Sequence, residues 1–173
     1  LNNEMALTPQ PITLTGITMA KYNDSIGIYI RSMGVLTASN LTMNYNNIGA
    51  DIDNSTGGKL TGVTLSGINS FSNNQAYGLS LISTGTISLS NISANGNLGG
   101  GGATIDNSGA SSPMNVTLLG TNSFNVNFHT GLQILSRGVG TVNALAANGN
   151  GSVTGGHGVT ITNAFSAGIS KGV

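Results

Sequence analysis

The side chains able to do chemistry are few and widely spaced. Asp51 and Asp53 flank Ile52, so on an extended strand both carboxylates leave the same face. Two carboxylates sharing a face are what a glycosidase uses as acid and nucleophile. Such a pair needs a cleft, and a one-residue gap on a flat strand provides none. Arg31 stands one repeat earlier at the position of Asp53, so the expectation is an exposed Arg31–Asp53 ion pair of little energetic weight. Hydroxyls recur at the outward positions Thr13/Thr15, Thr37/Ser39, Thr64/Ser66 and Ser88/Ser90. Threonine suits an exposed strand position because it is β-branched and polar. Asn-x-Ser/Thr triplets start at Asn23, Asn40, Asn54, Asn91, Asn115 and Asn150, about as often as this Asn-rich composition produces by chance.

The elements that position these residues come from a repeat. An apolar–x–apolar segment, a Gly or Asn, an Asn-rich loop and a Gly–apolar–x–apolar segment recur six times between Ile12 and Ile161. Alternation with period two, bounded by Gly/Asn/Ser clusters, is the signature of short strands. The coil glycines Gly27, Gly49, Gly78, Gly102, Gly131 and Gly158 lie 22, 29, 24, 29 and 27 residues apart. A repeat of that size is one supersecondary unit stacked on copies of itself. The expected fold is all-β: a right-handed parallel β-helix of about six coils, each about 4.8 Å above the last.

After the first strand of each coil stands Gly16, Asn40, Gly67, Asn91, Gly120 and, less clearly, Ala144. Gly and Asn tolerate a left-handed backbone, so a tight bend is expected there, with stacked asparagines satisfying one another. The next apolar residue, Ile17, Leu41, Ile68, Ile92 or Leu145, is expected to start an inward-facing second strand. A longer period is superimposed. Asn69-Ser70-Phe71 returns at Asn122-Ser123-Phe124, and Ala94-Asn95-Gly96-Asn97 at Ala147-Asn148-Gly149-Asn150, both after 53 residues. The duplicated unit is therefore a pair of coils. Ile82 and Leu135 are also 53 apart and alternate with Asp53 and Asp106, which makes them candidates for a lateral contact stripe.

Composition narrows the role. Charged residues are 6% and the net charge is zero, against roughly 25% charged residues in ordinary soluble proteins. No basic patch exists to displace counterions, which argues against a nucleic-acid or anionic-membrane partner. There is no cysteine, so disulfides and thiolate metal sites are excluded. No apolar run is long enough to insert in a membrane. The chain starts at Leu1 without a signal peptide and reads as a mature form or an excerpt. The neutral Thr/Ser/Asn/Gly surface points to an extracellular or cell-surface location.

The motif Gly–apolar–x–apolar–x–Asn–Ser with upstream Asn-Gly-Asn, over residues 12–164, resembles the Asn/Gly-rich right-handed parallel β-helix repeats of large bacterial surface proteins, in the pectin-lyase-like fold group. That group implies pectin-degrading enzymes, tailspikes, adhesins or structural repeats, and fold alone does not choose among them. Gly156-His157-Gly158 resembles an element of polygalacturonases, but their aspartate trio and basic motif have no counterpart here, so His157 reads as a loop residue. Gly99-Gly100-Gly101-Gly102 resembles a calcium-binding nonapeptide repeat, yet Thr104 stands where that repeat needs Asp. The hydroxyl array resembles the ice-binding faces of some β-helical proteins, but it decays to Leu119 and Asn143.

The expected organisation is an entry segment or linker over 1–11, with Pro9 and Pro11, then a solenoid over 12–173 whose seventh coil, from Phe165, is incomplete. No capping helix is read at either end, so unpaired strand edges are expected to meet another copy or flanking repeats. The expected function is a non-catalytic structural or adhesive module that uses no cofactor and stacks end to end. The rival reading is a protein that binds or degrades polysaccharide, with ice binding a third.

Overall fold

A computed structural model describes residues 1–153 and 155–163. The incomplete seventh coil expected from Phe165 lies outside them. Coil one holds β1 (Ile12–Leu14), β2 (Thr18–Lys21) and β3 (Ile26–Arg31); coil two holds β4 (Leu36–Ser39), β5 (Leu41–Asn44) and β6 (Ile48–Asn54). Coil three has β7 (Val63–Ser66), β8 (Asn69–Ser70) and β9 (Leu79–Ser83); coil four has β10 (Ile87–Ser90), β11 (Ile92–Ser93) and β12 (Ala103–Asp106). Coil five has β13 (Val116–Leu119), β14 (Asn122–Ser123) and β15 (Leu132–Ser136); coil six has β16 (Gly140–Val142), β17 (Leu145–Ala146) and β18 (Val159–Asn163). First strands pair only with first strands, second with second and third with third, giving three parallel six-stranded sheets. The protein is a parallel β-solenoid of about six turns, as the repeat predicts.

Register aligns the apolar columns. On sheet three, Ile28, Ala50, Leu79, Ala103, Leu132 and Val159 share one inward column, and Ile30, Ile52, Leu81, Ile105, Ile134 and Ile161 the next. These columns join those of sheets one and two, with Phe71 and Phe124, in one continuous core. Each coil alone cannot cover its apolar side chains; stacking does.

The second strand corrects part of the expectation. Leu41 and Ile92 are buried, but Ile17 and Ile68 are 78% and 74% exposed, and Leu145 is partly exposed on the last coil. Thr18 pairs with Leu41, and Asn69 with Ile92, so the glycine bends hold one residue more than the asparagine bends. With period two, that extra residue turns Ile17 and Ile68 to solvent and puts Thr18, Asn69 and Asn122 on the inner face.

A third, polar inner column explains the alternating coil length. Ser32, Asn54, Ser83, Asn107 and Ser136 are all buried at the exit of sheet three. The serine hydroxyls accept the N–H of Gly34, Gly85 and Gly138 two residues on, closing short corners. The asparagine amides instead donate to Thr61 O and Met114 O, seven residues on, at 2.8 Å in both cases. The entry segment joins this scheme: Asn3 Nδ2 donates to Gln10 O at 2.6 Å. Arg31 N–H donates to Leu1 O at 2.9 Å and Asn3 N–H to Arg31 O at 3.0 Å, so residues 1–3 add a rung to sheet three beside β3.

Candidate functional site

Most polar side chains singled out by the repeat serve coil-to-coil contacts. All six bend residues have positive φ: +83° at Gly16, +55° at Asn40, +73° at Gly67, +48° at Asn91, +69° at Gly120 and +38° at Ala144. Asn40 Oδ1 accepts the Ile68 N–H at 3.1 Å, and Asn91 Oδ1 accepts the Thr121 N–H at 3.1 Å. Those oxygens lie where a Cβ on Gly67 or Gly120 would stand, so each asparagine bend must be followed by a glycine bend.

The continuous asparagine ladder runs elsewhere, through the corner after the second strand. Asn46, Asn74, Asn97, Asn127 and Asn150 stack there, with Asn23 at the first coil. Asn97 Nδ2 donates to Asn127 Oδ1 at 2.8 Å, and Asn97 Oδ1 accepts both the N–H and Nδ2 of Asn74, at 3.0 and 3.1 Å. Before each ladder residue the backbone is left-handed, at Tyr22, Tyr45, Asn73, Gly96, Val126 and Gly149. Only the recurring Asn-Gly-Asn hinted at this second bend. The close stacking of coils accounts for the coil glycines: a Cβ on Gly27, Gly49, Gly78, Gly102 or Gly131 would run into the carbonyl oxygen of the coil glycine in the next coil as well as into the ladder. A Cβ on Gly27, Gly49, Gly78, Gly102 or Gly131 would fall 2.5 to 2.8 Å from the amide nitrogen of Asn46, Asn74, Asn97, Asn127 or Asn150. At Gly158 the obstacle is Ala147 O, at 2.8 Å.

The outer face of sheet three carries a group of ionisable side chains. Arg31 does pair in register with Asp53, but its ion partner is Asp51, at 3.2 Å, a correction to the expected Arg31–Asp53 bridge. The guanidinium leans back 4.0 Å above the Tyr29 ring. Asp53 Oδ1 is already engaged by the Ser55 N–H at 2.9 Å and hydroxyl at 2.6 Å. Asp106 likewise accepts the Ser108 N–H at 2.7 Å. Burial, then the Asp51 charge, pushes the Tyr77 phenol above its ordinary range. Beyond Tyr77 a shallow groove of about 290 Å³ is lined by Leu79, Ser80, Gly100, Gly101 and Thr104.

The other candidates stay apart. His157 is exposed, its N–H donating to Thr130 Oγ1 and its carbonyl accepting the Gly131 N–H, a loop-corner role. Thr104, in the glycine-run motif, pairs between Ser80 and Gln133 on the strand face. The outward hydroxyl column of sheet one is longer than the sequence reading allows: Thr13, Thr37, Thr64, Ser88, Thr117 and Thr141 stand in register. Ile82 and Leu135 share their column with Asp53 and Asp106; Ile82 is 40% exposed and Leu135 half-buried. No group of three or more His, Cys, Asp or Glu positioned for a metal occurs among the described residues. The arrangement is that of a β-solenoid built on polar ladders. No protein-family model, curated protein or solved structure matches the chain.

Proposed function

We propose that the protein is a non-catalytic structural or adhesive β-solenoid module of the cell surface or extracellular space, part of a surface protein or fibre, engaging other coils through its ends. One observation carries this reading: the repeated asparagine side chains of the bends and of the ladder are consumed in joining coil to coil. Asn40, Asn91 and the Asn46–Asn150 ladder each bond the neighbouring coil. The strand carboxylates brace local structure, Asp51 against Arg31, Asp53 against Ser55 and Asp106 against Ser108. Such a design favours rigidity along the axis over a reactive cleft.

A second reading, binding of a polysaccharide, is favoured by the Tyr77 groove, where an aromatic side chain meets the Ser80 and Thr104 hydroxyls. Incubation with plant, algal and bacterial polysaccharides separates the readings. Retention without cleavage supports an adhesive module. Turnover abolished by Asp51→Ala or His157→Ala would replace it with an enzyme. Electron microscopy and sedimentation at high concentration test end-to-end stacking: filaments support it, and dispersed monomers count against self-association.

A further inference from the structure

The bend column ends in an unfilled position. Inside the solenoid each glycine bend receives an asparagine from the coil before it: Asn40 meets Gly67 and the Ile68 N–H, and Asn91 meets Gly120 and the Thr121 N–H. Gly16 is the third glycine bend, with φ +83° and the same extra residue, Ile17, after it. Nothing lies within 4 Å of the position its Cβ would take. Among the described residues no acceptor bonds the Ile17 N–H, while its counterparts Ile68 and Thr121 are both bonded at 3.1 Å. Around this socket, β1 and β2 are the terminal strands of their sheets, each with one edge unpaired among the described residues. Sheet three differs, because residues 1–3 already lie along β3. The end is thus a step: two open strand edges with a vacant asparagine socket at the corner between them.

We propose that this N-terminal end is a docking face for a β-solenoid coil of the asparagine-bend class, reading apolar–x–apolar–x–Asn–apolar–x–apolar, which lays its two strands along β1 and β2 and places its bend asparagine over Gly16. The inference rests on the structural-module reading and specifies the partner that the end accepts. Strand edges alone accept many segments. The socket adds selectivity, because a coil whose bend residue carries a side-chain oxygen at that height gives the Ile17 N–H the partner that Asn40 gives Ile68 and Asn91 gives Thr121. Coil two shows such a coil in Leu36–Asn44, and coil four another in Ile87–Asn95. Coil six of a second copy does not qualify, because its bend residue is Ala144.

The test presents this coil to the intact chain. Residues 36–51 are fused directly before Leu1, so that Leu1-Asn2-Asn3 take the place of Ile52-Asp53-Asn54. The junction keeps register, since Asn3 and Asn54 both donate to a carbonyl seven residues on. Amide hydrogen exchange at Ile17 is read, with Ile68 and Thr121 as internal references. Ile17 should exchange at least tenfold more slowly with this extension than with the same extension carrying Asn40→Ala. Gly16→Ala in the asparagine-bearing form should abolish the protection. Equal protection from both extensions, or protection from neither, overturns the proposal. Protection in the unextended chain that rises with its concentration would give the site to a second copy and overturn the stated occupant. Monomeric sedimentation of the unextended chain together with a protected Ile17 in the fusion would remove self-stacking and leave the socket standing.

Discussion

Replacing Asn97 should have a cost that can be worked from its contacts. Its side chain is fully buried, and its Oδ1 is the acceptor for both the N–H and Nδ2 of Asn74. Asn97→Ala strands both donors, while Asn127 Oδ1 keeps the Asn97 backbone N–H at 3.0 Å. A buried group left unsatisfied costs about 1–3 kcal/mol, so two cost about 4 kcal/mol. For a chain of this length that corresponds to a fall in Tm of about 8–16 °C. Asn97→Asp gives a sharper reading. One carboxylate oxygen still accepts from Asn74, but the other faces Asn127 Oδ1, where the amide had donated at 2.8 Å. Burial and that lone pair raise the folded-state pKa above the unfolded value of about 4. A raised folded value means that stability is fully present below about pH 4 and is lost as pH rises through the folded pKa. A shift of about three units would cost about 4 kcal/mol at neutral pH. Urea melts of wild type and variant at pH 3 and pH 7 measure the difference. A loss below about 1 kcal/mol in Asn97→Ala, or an Asp variant whose deficit does not change between the two pH values, would refute the ladder as a stabilising element.

Four further outcomes follow from the same contacts. Gly67→Ala should cost about 3 kcal/mol in a urea melt, combining left-handed backbone strain with displacement of Asn40 from the Ile68 N–H, whereas Gly16→Ala, with open space around it, should cost only about 1 kcal/mol. Leu81→Ala empties a fully buried position between Ile52 and Ile105 and should lower the unfolding free energy by about 2–5 kcal/mol. Arg31→Ala removes a partly exposed bridge to Asp51 and a contact with Tyr29, so its cost should be about 1 kcal/mol or less and should shrink in high salt. The Tyr77 phenol is held above its ordinary value, so its stabilising contribution is present below about pH 10 and lost as pH rises through the folded value; Tyr77→Phe should remove that alkaline loss in melts between pH 8 and 12.

Much of the architecture was legible because a stacked repeat writes its geometry into composition. Alternating apolar residues such as Leu79 and Leu81 had to face inward together, and residues able to occupy a left-handed backbone recur where the chain must turn. The pairing of a long coil with a short one was visible in the 53-residue return of Asn69-Ser70-Phe71. The inner Asn/Ser alternation was harder to see. Asn54 and Asn107 recur in the repeat motif, but only the register puts them in one buried column with Ser32, Ser83 and Ser136.

The sequence by itself thus determined the strands, the bends, the coil period and the neutral surface, because each depends on local backbone preference and on side-chain alternation. Tertiary structure decided which residues meet. One additional residue in the glycine bends turned Ile17 and Ile68 outward and set Asn69 and Asn122 inside, since a single-residue slip reverses the face of a strand. The ladder fell to Asn46 through Asn150, as only the stacking of whole coils brings residues 23 to 30 positions apart within 3 Å of one another. Arg31 bonds Asp51 while Ser55 engages Asp53, an arrangement of four side chains that no one-dimensional pattern records.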